Sequence, residues 1–248
     1  MNAAAPATAD APSLSFIIPT LNEEKNLPDV IAEIVENAEK SGVSDYEMII
    51  VDGGSADGTV ETAENICARN PGVSLVRGGE GQGVGSNFLR GVRVAKKRHC
   101  LIVPGDNEFN LDFLPKAASL LSSAAPPAMV VTHVENSSIR PLHRRIISAL
   151  YINIFNFLFS TNFKYTNGIV VYPVEWIRSL ELCSTGYSFQ SEALLTAHRQ
   201  GKRFVQLGMR MRPRRHGRSK ALSIAAVVEV FLSLAKMRLA HKKATPSS

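Results

Sequence analysis

The chain has 248 residues, 45% hydrophobic and 20% charged, a balance that suits one sizeable globular domain and excludes a disordered polymer, a collagen and a disulfide-stapled miniprotein. No stretch reaches the roughly 20 apolar residues of a membrane-spanning helix. The formal charge of +6 is unevenly spread: residues 1–198 hold 15 Lys/Arg against 21 Asp/Glu, whereas residues 199–248 hold 13 against Glu229 alone. The nine basic residues from Arg199 to Lys220 call for an anionic counterpart: a phosphate ester, an anionic membrane or a nucleic acid.

In chain order, residues 1–13 read as a disordered tail, rich in Ala and Pro and without the basic and apolar regions of a secretory signal. Short, partly β-branched apolar runs then alternate with amphipathic ones. Leu14–Ile18, Met48–Val51, Val73–Val76, Leu101–Val103 and Met129–Thr132 read as strands. Leu27–Lys40, Thr59–Arg69 and Ser86–Lys97 read as helices, the first with Leu27, Val30, Ile31, Ile34 and Val35 on one face. Ile146–Phe159 is apolar and reads either as a buried helix or as one lying in a membrane interface. Ile169–Tyr172 is strand-like, Ser191–Gln200 helical, and a further strand starts at Phe204. A last helix spans Leu222–Leu239 and ends among Lys236, Arg238, Lys242 and Lys243, a composition that suits a membrane surface. Strand–helix alternation implies an α/β fold with a mostly parallel central sheet flanked by helices. Three well-separated cysteines, Cys67, Cys100 and Cys183, make neither a disulfide framework nor a zinc site and suit the reducing cytosol; Cys100 reads as core.

Ligands of such sheets bind beyond the carboxyl ends of the strands, so the residues after each strand are where chemistry is expected. The first strand ends in Pro19-Thr20-Leu21-Asn22-Glu23, the second in Asp52-Gly53-Gly54, the fourth in Gly105-Asp106-Asn107-Glu108. Asn22 and Asp52 are able to hydrogen-bond a base or ribose. Asp106 and Glu108 supply hard oxygen ligands suited to Mg²⁺ or Mn²⁺ shared with substrate phosphates. Asp57 reads as a turn or helix cap. The glycine-rich run Gly78–Gly85 contains no G-x-G-x-x-G, and no phosphate-binding G-x-x-x-x-G-K-[ST] occurs, which excludes the usual dinucleotide and P-loop readings. Aromatic residues make up 7% and scarcely interleave with the basic run, against single-strand nucleic-acid binding.

The stretches IIPTLNEEKNL, VDGGSADGT and GDNEFN, in this order, resemble family 2 glycosyltransferases of the GT-A nucleotide-diphospho-sugar transferase fold. Gly186-Tyr187-Ser188-Phe189-Gln190-Ser191-Glu192 and Arg214-Arg215-His216-Gly217-Arg218-Ser219-Lys220 are similar to motifs of the dolichol-phosphate mannose synthase branch. The resemblance covers residues 14–235. It implies that Pro19, Asn22, Glu23, Asp52 and Asp106 bind the donor, that Asp106 and Glu108 hold the metal, and that Arg214 and Lys220 grip phosphates and act with the metal pair in catalysis. Arg145, Gln190 and Glu192 would lie on the acceptor and sugar side. Three departures from the family pattern stand out: Glu108 replaces an Asp, Gly53 follows Asp52 where a second Asp is common, and Gln82 stands near the usual position of a Lys.

The resemblance implies an inverting transfer of a sugar from a nucleotide-diphospho-sugar to a polyprenyl phosphate. Residues 14–220 would form the transferase domain, and 221–248 an amphipathic membrane-interface helix and tail. Expected partners are the two substrates, the cytosolic face of a membrane to which the protein attaches peripherally, and a membrane protein; nucleic acid is not expected. The alternatives are a hydroxyl acceptor, with Glu192 as the candidate base, and a non-catalytic homologue that binds lipid or nucleic acid.

Overall fold

The computed structural model describes residues 11–78, 83–213 and 231–239. Seven strands form one sheet: β1 (Ser13–Thr20), β2 (Asp45–Asp52), β3 (Val73–Arg77), β4 (His99–Ile102), β5 (Met129–Val134), β6 (Val170–Pro173) and β7 (Phe204–Met209). Their order is β3-β2-β1-β4-β6-β5-β7. β6 runs antiparallel to β4 and β5, and the other pairs are parallel. β1 begins at Ser13, the last residue assigned to the tail by sequence, and residues 1–10 of that tail lie outside the described residues.

The central strands are apolar on both sides because both faces are covered. Phe16, Ile18, Met48, Ile50 and Leu101 face one layer, containing α1 (Leu27–Lys40), α2 (Thr59–Arg69) and α4 (Leu114–Leu121). Ile17, Ile49, Val51 and Ile102 face the other, with α3 (Val84–Val94), α5 (Leu142–Phe159), α6 (Val174–Arg178) and α7 (Phe189–Arg199). Residues 231–239 are helical and join this second layer through the buried Leu234 and Met237. Cys100 is fully buried, and burial pushes its thiol far above the ordinary range. No helix among the described residues is long and apolar enough to cross a membrane.

Several boundaries depart from the sequence reading for local reasons. α3 starts at Val84 and stops at Val94 rather than spanning Ser86–Lys97. Ala95 turns extended, and Lys96 and Lys97 give their N–H groups to Glu47 Oε1 (2.6 Å) and Ser15 Oγ (3.3 Å). α5 begins four residues earlier than Ile146, opened by Pro141, which sets the preceding turn. Of the helix expected over Leu222–Leu239, residues 222–230 lie outside the described residues.

Candidate functional site

The carboxyl ends of β1, β2 and β4 are laced into one rim by the backbone. Gly53 N–H donates to Thr20 O (2.8 Å), Gly105 N–H to Pro19 O (3.1 Å) and Gly78 N–H to Asp52 O (2.6 Å). Asp52 is 4% exposed, and its carboxylate accepts the N–H groups of Gly54 (2.9 Å) and Ser55 (3.1 Å). This local turn aims the acid over the sheet edge. Gly54 completes it at φ 90°, where a side chain would be strained.

Asn22, in left-handed backbone at φ 59°, locks the first loop to the second. Its Oδ1 accepts Ala56 N–H (2.8 Å), and its own N–H donates to Ser55 Oγ (2.9 Å). The Asn22 side-chain amide nitrogen donates no hydrogen bond among the described residues and is available to a ligand. Glu23 N–H donates to Thr59 Oγ1 (2.8 Å), and Glu23 Oε2 accepts Asn26 Nδ2 (2.6 Å). Asp57 is the turn residue the sequence suggested: its Oδ1 accepts Thr59 N–H (3.0 Å) at the start of α2. The Thr59 hydrogen bonds outweigh burial and hold its carboxyl below the ordinary range, although burial is the largest single influence and opposes them.

The third part of the rim is the turn Asp106-Asn107-Glu108. Asn107 takes φ 56°, and Glu108 N–H reaches back to Asp106 Oδ1 (3.3 Å). Against this turn lies the start of the basic run. Phe109 bridges Met211 antiparallel, Asn110 N–H donates to Arg210 O (2.9 Å), and Arg212 N–H donates to Glu108 O (2.8 Å). The Arg212 guanidinium forms an ion pair with Glu33 and donates through Nε to Asn110 Oδ1 (2.6 Å). Asn136, just beyond β5, exchanges two 2.8 Å hydrogen bonds with the Met211 backbone. Residues 210–212 thus lie against the acidic turn. Arg214, Lys220 and Gln82, singled out by sequence, lie outside the described residues.

On the far side of Asp52, α3 contributes a residue that sequence reasoning missed. Asn87 is 4% exposed, and its Oδ1 accepts no hydrogen bond among the described residues. A Cβ on Gly53 would stand 2.6 Å from Asn87 Nδ2, and one on Gly78 would stand 3.0 Å from Asn87 Oδ1. Asn87 thus fills the space beneath the two strand tips. A polar residue within an otherwise amphipathic helix was the only signal available for it.

The Gly186–Glu192 motif meets the same rim, where Thr185 O accepts Ser86 N–H (3.1 Å) at the start of α3. Gln190 is buried and donates to Gly168 O (2.7 Å). The two carboxylate oxygens of Glu192 accept the N–H groups of Cys183 and Ser184, each at 2.9 Å. Both residues hold the 168 and 183–184 segments in place rather than standing open to a substrate. Arg145 is exposed on the first turns of α5.

The profile of Glycosyl transferase family 2 matches residues 15–184. The undecaprenyl-phosphate mannosyltransferase of Micrococcus luteus is 27% identical over 243 residues, covering 91% of this chain and 94% of that protein. The dolichol-phosphate mannosyltransferase of Pyrococcus furiosus is 28% identical over 137 residues, and the match spans only 38% of that protein's length. Among solved structures, glucosyl-3-phosphoglycerate synthase from Mycobacterium tuberculosis in complex with Mn²⁺, UDP-glucose and phosphoglyceric acid superposes with a TM-score of 0.71 at 17% identity, over 92% of this chain and 80% of that one. At that identity the likeness shows the shared fold.

Proposed function

Because the chain belongs to Glycosyl transferase family 2 and is a nucleotide-sugar glycosyltransferase, we propose that its acceptor is a polyprenyl phosphate, reached from the cytosolic face of a membrane to which the protein attaches peripherally. The observation that carries this reading is the pairing of the basic 210–212 segment with the acidic 108–110 turn at the rim that holds Asp52. A departing nucleoside diphosphate needs cations beside it as charge builds on the leaving oxygen. The length-matched M. luteus relative supports the lipid phosphate.

In this reading Pro19, Asn22, Glu23 and Asp52 bind the donor. Asp106 and Glu108 fit a divalent ion, Mg²⁺ or Mn²⁺. Both are hard oxygen donors on one tight turn, and no cluster of three His, Cys, Asp or Glu occurs among the described residues, so phosphate oxygens and water would complete the shell. The ion's contribution when bound is to neutralise the leaving diphosphate. Arg214 and Lys220 continue the cationic segment and carry the phosphate-gripping role. Residues 14–220 carry the transferase chemistry, and the 231–239 helix, packed on the second core layer through Leu234 and Met237, turns Leu232, Lys236, Arg238 and Leu239 outward.

An acceptor phosphate is already ionised near neutral pH, its second pKa being about 6. It attacks without a general base, and direct displacement inverts the sugar carbon. A hydroxyl acceptor would need a base, and Glu192 is committed to two backbone N–H groups, which favours the phosphate. Gln190 and Glu192 then act by shaping the acceptor side, and the exposed Arg145 would meet the acceptor phosphate.

The test is transfer of radiolabelled sugar from a panel of nucleotide sugars, with Mn²⁺, to polyprenyl phosphate. Label is expected in the organic phase. Asp106→Ala is expected to lower turnover by about 10³-fold or more with an unchanged melting temperature. Transfer only to water-soluble hydroxyl acceptors overturns the lipid reading, and retained Asp106→Ala activity overturns the metal assignment.

A further inference from the structure

α5 presents two faces of opposite meaning. Tyr151, Phe155 and Phe159 are buried in the second core layer. Leu142 (65% exposed), Ile146 (58%), Leu150 (53%) and Phe157 (86%) are left in solvent. At 100° per residue these four fall within an arc of about 80°, with Ile139 continuing the line ahead of the helix and the exposed Asn153 inside it. One exposed apolar residue needs no explanation, but a continuous stripe does.

The charge around the stripe has one sign. α5 contains no acidic residue, and Arg140, His143, Arg144 and Arg145 crowd its start. Cations there oppose the helix dipole; Arg140 donates to Tyr165 OH (3.0 Å) and lies over its ring, while His143 and Arg145 are exposed toward solvent. The 231–239 helix lies alongside, with Phe231 edge-on to Tyr151 and Arg238 Nη1 donating to Leu158 O (2.8 Å). It adds the exposed Leu232 and Leu239 together with Lys236 and Arg238.

Topology fixes the direction of the stripe. β4 and β5 are both antiparallel to β6, and β4 is parallel to β1, so β5 ends on the same edge as β1 and α5 starts at the donor rim, where Asn136 holds Met211 opposite Phe109. The helix then runs away from the rim, its last ring, Phe159, lying beside Arg199 at the end of α7. A buried hydroxyl chain, from Tyr151 OH to Ser191 Oγ (3.0 Å) and from Ser191 Oγ to Thr166 Oγ1 (2.9 Å), fastens α5 to the start of α7.

We propose that α5 is the element that docks the enzyme on an anionic lipid bilayer, with Leu142, Ile146, Leu150 and Phe157 entering the interface and the Arg140–Arg145 turn meeting headgroup phosphates beside the donor rim. The proposal rests on the lipid-acceptor reading and gives it a geometry. Apolar residues along one helix face with flanking Lys and Arg are the composition of an interfacial helix. The buried opposite face keeps α5 rigid, so docking sets the height of the rim above the membrane and a lipid-borne phosphate enters sideways past the arginines.

The test is flotation of the full chain with phosphatidylglycerol-rich or phosphatidylcholine vesicles, without donor or acceptor. Wild type is expected to float with the anionic vesicles, less with neutral ones, and less at high salt. The double variant Ile146→Glu/Phe157→Glu is expected to lose about tenfold or more of the bound fraction. Both sites are exposed, so its melting temperature and its thermal shift with nucleotide should match wild type. Flotation equal to wild type by the double variant overturns the proposal, as does wild type that never floats. Light scattering that shows a wild-type dimer, made monomeric by the variant without any flotation, assigns the stripe to a second copy and also overturns it. Floating through α5 without transfer to polyprenyl phosphate sinks the acceptor reading alone. Transfer to a short-chain prenyl phosphate by a chain that never floats sinks the docking alone.

Discussion

Gly53 and Asn87 share one space at the donor rim, and that fixes what each is allowed to be. A Cβ at position 53 would sit 2.6 Å from Asn87 Nδ2 and 3.2 Å from Thr20 O. The backbone of Gly53 has no positive φ, so the obstacle to a side chain is the buried amide rather than strain. Gly53→Ala is therefore expected to cost about 1–3 kcal/mol by overpacking, and most of that cost should vanish in an Asn87→Ala background, because the pair is in contact and non-additive. Urea denaturation of the four proteins measures the coupling, and equal costs in both backgrounds would show that the two residues do not compete. The sequence marked Gly53 as a departure after Asp52, and the structure supplies its partner thirty-four positions later. Asp52, Asn22 and Asp106 were legible because acids and amides directly following strands arrive at the rim by topology alone. Asn87 was not, since only the docking of α3 on β1 and β2 carries it there.

At the scale of elements, α3 is positioned by a missing side chain. A Cβ on Gly91 would run into the Ile17 side chain and lie 3.2 Å from Val51 Cγ2, so the helix backbone rests directly on the sheet. Two effects compete in Gly91→Ala. Helix propensity favours Ala by about 1 kcal/mol, while overpacking a fully buried contact costs about 1–3 kcal/mol. Ile17 and Val51 are fully buried in strands paired on both sides, leaving the neighbours little room to give. Packing should win, and the variant should unfold at lower urea than wild type; a higher midpoint would mean the helix rides further off the sheet. The same element shows where sequence periodicity stops informing. Its sequence offers no Gly or Pro to stop it after Val94, but the Lys96 and Lys97 N–H groups are taken by Glu47 and Ser15, contacts forty-nine and eighty-two residues away. α5 illustrates the converse. Its apolar run allowed a buried or an interfacial helix, and the folded chain makes it buried on one face and bare on the other.

For the whole molecule, the partition of charge was plain from the sequence, yet its meaning depends on a long-range pairing that no local pattern encodes: residues 210–212 against 108–110. Charge also governs how the fold responds to acid. Burial, reinforced by the Arg98 cation, pushes His99 below its ordinary value of 6.5. Burial, helped by Lys164, does the same to His133, against the smaller opposing pull of Glu135 and a hydrogen bond to the Leu207 backbone. Neither Nδ1 has a hydrogen-bond partner among the described residues. The folded state therefore favours neutral imidazole, and below about pH 6.5 the unfolded chain binds more protons than the folded one. Stability is expected to be full above that value and to fall as the pH drops toward the folded-state values. The carboxylates with lowered values, Glu36, Asp45 and Asp57, start from 4.5, 3.8 and 3.8, so their loss begins in a more acidic window. Urea denaturation at pH 7.5 and 5.5 should show the decline in wild type and flatten it in His99→Asn/His133→Asn; an equal decline in both would assign it to other groups. His99 opens β4 at the sheet edge opposite the rim, so nucleotide affinity at pH 6 should hold while global stability falls. Affinity falling in step with stability would instead couple that edge to the site.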